Sequence, residues 1–108
     1  MTLRARISVP KTVAAGSVVT IKTLITHKME TGFRRDAMGE AIPRDILKRF
    51  ECRLDGALVF AADLQPGIAA NPYLTFQTRI ERGGQLEFVW TDLNGERHRE
   101  TREISVAG

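Results

Sequence analysis

The sequence predicts an all-β protein, an immunoglobulin-like antiparallel β-sandwich of about seven strands. Apolar residues recur at period two along most of the chain, while helical periodicity stays weak. Turn-forming pairs such as Ala15-Gly16, Asp55-Gly56, Gly83-Gly84 and Asn94-Gly95 punctuate those runs at short intervals. The Cys…Trp…Cys arrangement of antibody domains is missing, because the chain has a single cysteine, so the likeness is one of architecture.

The first strand is expected over 5–9. Ala5, Ile7 and Val9 alternate there with Arg4, Arg6 and Ser8, and Pro10, which has no N–H to offer a ladder, stops it. Ala15-Gly16 turns the chain into a strand over 17–26, where Val19, Ile21, Thr23 and Ile25 share one side. Their β-branched composition suits a pleated, half-buried surface. Val18 and Leu24 fall on the other side, so that sheet face is expected to meet another chain, or a second copy when the partner is missing. Residues 27–45 break the pattern with two glycines, a proline and dense charge. Connections this long without secondary structure are uncommon and usually functional.

Strands resume over 46–54, with Phe50, Cys52 and Leu54 on one face and Arg49, Glu51 and Arg53 on the other. Asp55-Gly56 is a type I′ hairpin signal, since glycine tolerates the positive φ of that turn. A return strand over 57–63 and a second irregular stretch over 64–72 lead into a strand over 73–80. Gly83-Gly84 marks the next turn, and 85–92 places Leu86, Phe88 and Trp90 opposite Glu87, Val89 and Thr91. Asn94-Gly95 is the clearest hairpin signal, and the final strand runs through Ile104 and Val106. No repeat, linker or low-complexity tract divides the chain, so one domain over 1–108 is expected, large enough to hold a core without metal or disulfide.

Charge and composition exclude several function classes. The formal charge is +3 and the pI near 9.5, but the cations interleave with acids, as in Glu96-Arg97-His98-Arg99-Glu100-Thr101-Arg102-Glu103. That alternation marks a solvated face, and nucleic acid is not an expected partner. No apolar run approaches the ~18 residues of a membrane helix, so no membrane partner is expected. The segment Met1-Thr2-Leu3-Arg4-Ala5-Arg6 has no apolar stretch of the secretory kind, which read alone points to the cytoplasm. Two histidines and one cysteine cannot build a four-ligand Cys/His zinc site, and no cofactor is expected.

Individual candidates for chemistry weigh lightly. Cys52 shares a face with Phe50 and Leu54 and reads as a small buried hydrophobe, an inter-chain thiol being its second reading. His27 and His98 lack a carboxylate or nucleophile at meaningful spacing and read as surface residues. Asp36 and Glu40 match no calcium loop, and Gly67, Gly83 and Gly84 form no phosphate loop. No catalytic residue is assigned. What stands out is a recognition pattern: Met29, Glu30, Phe33, Arg34, Arg35, Ile42 and Arg44 in the long loop, with Asn71, Pro72 and Tyr73 after Ile68 in the second irregular stretch. Arginine forks beside Met and aromatic side chains are the composition of protein interfaces.

The same segments resemble the SoxZ family, the partner half of the SoxYZ sulfur carrier in thiosulfate oxidation. The residues that carry the resemblance are Arg6-Ile7-Ser8-Val9-Pro10-Lys11, Ile21-Lys22-Thr23-Leu24-Ile25-Thr26-His27-Lys28-Met29-Glu30-Thr31-Gly32, Arg34-Arg35-Asp36 and Ile42-Pro43-Arg44. Arg49-Phe50-Glu51-Cys52, Ala69-Ala70-Asn71-Pro72-Tyr73-Leu74-Thr75-Phe76 and Phe88-Val89-Trp90-Thr91-Asp92 complete it. The resemblance implies a heterodimer with SoxY, whose Gly-Gly-Cys-Gly-Gly arm carries the sulfur substrate. It also implies transient docking of Sox pathway enzymes, and a periplasmic location reached in company with a signal-bearing partner. This chain ends Ile104-Ser105-Val106-Ala107-Gly108, without the arm cysteine. The expected role is a non-catalytic scaffold and docking subunit. Its rivals are a free-standing sandwich module that binds some other protein, and an enzyme that uses Cys52 or a histidine.

Overall fold

The computed structural model describes residues 4–26, 35, 37–40, 46–64 and 71–107. Among them are eight strands: β1 Ala5–Ser8, β2 Thr12–Ala14, β3 Ser17–Ile25, β4 Leu47–Leu54, β5 Ala57–Asp63, β6 Tyr73–Ile80, β7 Gly84–Asp92 and β8 Arg97–Ala107. They form a three-stranded sheet ordered β1-β3-β6 and a five-stranded sheet ordered β2-β8-β7-β4-β5. The expected all-β sandwich is found. The long loop lies almost wholly outside the described residues.

Period-two alternation decides which side chains go inside. In β3, Val19, Ile21, Thr23 and Ile25 are buried while Val18, Thr20 and Lys22 are exposed. From the opposing sheet come Phe50, Cys52, Leu86, Phe88, Trp90 and Ile104, all at 2% exposure or less. Phe50 lies at the centre, its ring centroid 5.1 Å from Trp90, 6.1 Å from Phe60, 6.1 Å from Phe76 and 6.4 Å from Phe88. Phe76 belongs to the three-stranded sheet and stacks on Phe60 at 4.3 Å, so the aromatic cluster joins the two layers. Each such side chain contributes roughly 1.5–3 kcal/mol by leaving water.

The structure departs from the sequence reading at β2 and at Gly83-Gly84, and forms the expected hairpins at Asn94-Gly95 and Asp55-Gly56. An eighth strand, β2, pairs in parallel with β8 through Thr12↔Ser105, Val13↔Val106 and Ala14↔Ala107, so the sandwich is not purely antiparallel. The break at Pro10 lets the chain cross from one sheet to the other, and three residues are too few to show a period. Gly83-Gly84 is not chosen for turn geometry, because neither glycine has positive φ. Their requirement is space: a Cβ on Gly83 would sit 2.7 Å from the Ile104 carbonyl oxygen, and one on Gly84 would collide with the Asp55 carboxylate. At Asn94-Gly95 only Gly95 has positive φ, 85°. Gly95 N–H bonds the Asp92 carbonyl at 3.1 Å and Asp92 N–H bonds the Glu96 carbonyl at 2.9 Å, the pattern of a type I turn closed by a glycine bulge. The buried Asp92 carboxylate completes it by accepting the N–H groups of Asn94 and Glu96 at 2.8 and 2.9 Å. Asp55-Gly56 does adopt the expected mirror-image turn, with φ of 47° and 88°.

Two stability effects follow from this packing. The Thr23 hydroxyl is buried with no hydrogen-bond partner among the described residues, a penalty of about 1–3 kcal/mol that an apolar isostere removes. Thr23→Val should therefore raise the unfolding free energy by about 1 kcal/mol, read as a higher urea midpoint at unchanged slope. Gly83→Ala should lower it by about 1–3 kcal/mol, since the new methyl meets β8 backbone, which cannot step aside as a flexible side chain would.

Candidate functional site

The two outer faces of the sandwich differ in how they use charge. On the five-stranded sheet most of the outer arginines pair with carboxylates. Arg49 bonds Asp63 at 2.8 Å and Glu51 at 3.2 Å, Arg53 bonds Glu51 at 2.6 Å, and Arg99 Nε bonds Glu87 at 2.8 Å. The Arg53 and then the Arg49 bonds hold the Glu51 carboxyl below its usual range, and the Asp63 bond, then the Glu51 bond, raises Arg49. Such exposed pairs add little stability. They do leave that face close to electrically satisfied.

The three-stranded sheet is arranged otherwise. Its strands contain Arg6, Lys22 and Arg79 and no acidic residue. Register sets Arg6 beside Leu24 and Leu24 beside Tyr73, in one row across all three strands on the outer face. The next row is Ser8, Lys22 and Thr75, and further along Val18 stands beside Arg79. Tyr73 is 57% exposed and Val18 54%, large values for apolar side chains on a strand. A shallow groove of about 250 Å3 runs between Arg6, Ser8, Lys22, Leu24 and Tyr73. Arg79 donates to the Gly16 carbonyl at 2.7 Å, whereas Arg6 and Lys22 have no ion pair among the described residues.

Local backbone explains how Tyr73 comes to stand on this face. Asn71 has φ of 56°, a left-handed conformation that asparagine tolerates better than most residues. It precedes Pro72, which is buried and whose carbonyl accepts the Ile25 N–H at 3.2 Å. That bond locks the start of β6 against the end of β3 and turns Tyr73 outward.

Of the residues singled out from the sequence, Met29, Glu30, Phe33, Arg34, Ile42 and Arg44 lie outside the described residues, as do His27, Asp36, Gly67 and Ile68. Arg35 is exposed and donates to the Gly39 carbonyl at 2.9 Å, which uses one guanidinium nitrogen to close its own turn. Asn71, Pro72 and Tyr73 fall at the edge of the Arg6–Leu24–Tyr73 row. Sequence reading missed Arg6 and Lys22 as surface determinants, and also Met38, which is 86% exposed. His98 is not a surface residue as expected. It is half-buried, 5.9 Å from the Trp90 ring and 3.0 Å from the Glu100 carboxylate, because its cross-strand neighbour Trp90 faces the core. Cys52 has 0% exposure, and burial pushes its thiol up to about 12. An inter-chain disulfide needs a thiol at the surface, and this position does not offer one. Among the described residues no three His, Cys, Asp or Glu side chains gather as a metal site would require.

Fold and surface together define the class: an immunoglobulin-like β-sandwich that presents cations and apolar side chains on its smaller sheet. Solved structures agree on the fold. Superoxide reductase (neelaredoxin) from Ignicoccus hospitalis superposes with a TM-score of 0.69 at 17% identity, covering 95% of this chain and 80% of its own. The sulfur carrier protein SoxY from Chlorobium limicola f thiosulfatophilum gives 0.66 at 16% identity, covering 94% and 74%. A CARDB domain from Pyrococcus furiosus gives 0.60 at 17%, covering 97% and 92%. No curated protein matches the sequence significantly. The chain belongs to the SoxZ family of sulphur oxidation proteins, whose family model matches residues 6–103.

The state of Cys52 is open to direct measurement. A thiol-specific reagent at pH 8 should label it slowly in the native protein and fully in denaturant. Unfolded, the thiol ionises near 9.0; folded, it holds its proton to about 12. The unfolded state therefore gains as pH rises through that interval. Wild type should lose stability from pH 9 to 11 relative to Cys52→Ala measured in parallel.

Proposed function

We propose that this chain is the scaffold subunit of a SoxYZ-type sulfur carrier, pairing with a SoxY chain and performing no covalent chemistry of its own. The observation that carries the reading is the SoxZ family match over residues 6–103. The state of the cysteine supports the division of labour. Carrying sulfur as a covalent adduct requires a thiolate that can reach its reactants. The single cysteine of this chain is buried at the centre of a sheet and stays protonated. The adduct must then sit on the partner, on the arm cysteine that SoxY chains supply, while this sandwich holds that partner for the enzymes that visit it. The complex works in the periplasm, reached together with the signal-bearing SoxY chain.

Co-expression with a cysteine-armed SoxY chain, followed by purification through a tag on this chain, should yield a one-to-one complex. In a reconstituted thiosulfate-oxidising system Cys52→Ala should retain turnover within about twofold, whereas loss of the partner's arm cysteine should abolish it. Loss of turnover in a folded Cys52→Ala variant would instead place the chemistry here. Fractionation of cells expressing both chains should find the complex in the periplasm, and a purely cytoplasmic complex would overturn that location.

A further inference from the structure

The outer face of the three-stranded sheet has three properties that the rest of the described surface does not combine. It is apolar along the row at one end, where Leu24 and Tyr73 stand side by side. It carries cations only, since no acid occurs in β1, β3 or β6. And Arg6 and Lys22 have no ion pair there, whereas the arginines Arg49, Arg53 and Arg99 of the opposite face are held by carboxylates. An exposed guanidinium and an exposed tyrosine flanking one leucine, with no internal counter-charge, make a half-made contact.

We infer that this face, through the Arg6–Leu24–Tyr73 row, is where the chain docks the SoxY-type partner, and that the partner meets it with a surface that sets an apolar patch beside acidic groups. The inference rests on the sulfur-carrier reading above and names the surface for it. Charge decides the partner's chemistry: a basic or neutral face would leave Arg6 and Lys22 desolvated and unpaired, which is costly. Shape decides the mode. A twisted sheet packs well against another sheet of the same twist, and the SoxY of Chlorobium limicola has this same fold. Nine residues of β3 give a face about 30 Å long. Standard interfaces cover about 800 Å2 per partner, so this face can supply the core of one. The left-handed Asn71 and the buried Pro72 serve the surface by fixing where Tyr73 stands.

The test is binding of the full chain to SoxY by biolayer interferometry across a salt series, with circular dichroism as the folding control. Leu24→Glu and Tyr73→Ala should each weaken binding about 30-fold or more, mainly through faster dissociation. Arg6→Glu and Lys22→Glu should each cost about tenfold, mainly in association rate, and flatten the salt dependence. Arg97→Glu, the same charge change on exposed β8, should stay within about twofold. If wild type binds SoxY and all four face variants match it, the docking face lies elsewhere and the sulfur-carrier reading stands. If wild type does not bind SoxY at all, the carrier reading fails and this inference with it. If Leu24→Glu abolishes only self-association of this chain while SoxY binding is kept, the face joins two copies and the inference is overturned.

Discussion

Contact between Phe50 and the rings around it is the constraint on which the sandwich depends. A three-stranded sheet cannot bury one face by itself, and the five-stranded sheet is little better placed, because its β8 points Glu100, Arg102 and His98 toward the interior. Phe50 touches Phe88 and Trp90 within its own sheet and Phe76 across the gap. Phe60, paired in register with Cys52, stacks on the same Phe76. Aromatic pairs in tilted and offset arrangements add stabilisation beyond their buried area. With the layers held at that point, the short strands β1 and β2 need contribute only flanking contacts.

Once the layers are fixed, the distribution of charge over the two outer faces is a matter of register. Ladders that run Asp63–Arg49–Glu51–Arg53 neutralise one sheet from within. The other sheet has strands whose polar positions are threonine, serine and glutamine, with cations and no acids among them. The contrast is too local to show in a net charge of +3.

Most of the fold was legible in the sequence because period-two alternation is a local property. The inward sets Val19/Ile21/Thr23/Ile25 and Leu86/Phe88/Trp90 could be read from spacing alone, and both are inward. What escaped depends on partners distant in sequence. β2 has three residues, and its pairing is with the last strand, so no window around it contains the signal. Gly83 and Gly84 advertise a turn by composition, while their actual demand is room for Ile104 and Asp55. His98 was misplaced for the same reason, since Trp90 sets its environment from across the ladder. Tyr73 was legible as a candidate, but its row with Leu24 and Arg6 joins three strands whose registers the sequence does not state.

The parallel pairing of β2 with β8 has a consequence for the order of folding. Thr12–Ala14 and their partners Ser105–Ala107 are separated along the chain by every strand from β3 to β7. The short β2 gains its ladder only when that intervening chain brings β8 back to it. Non-local closure of this kind slows folding and leaves strand edges exposed for longer. The β2 ladder is thus a late contact, and until it forms the outer edge of β8 is open to the wrong neighbour.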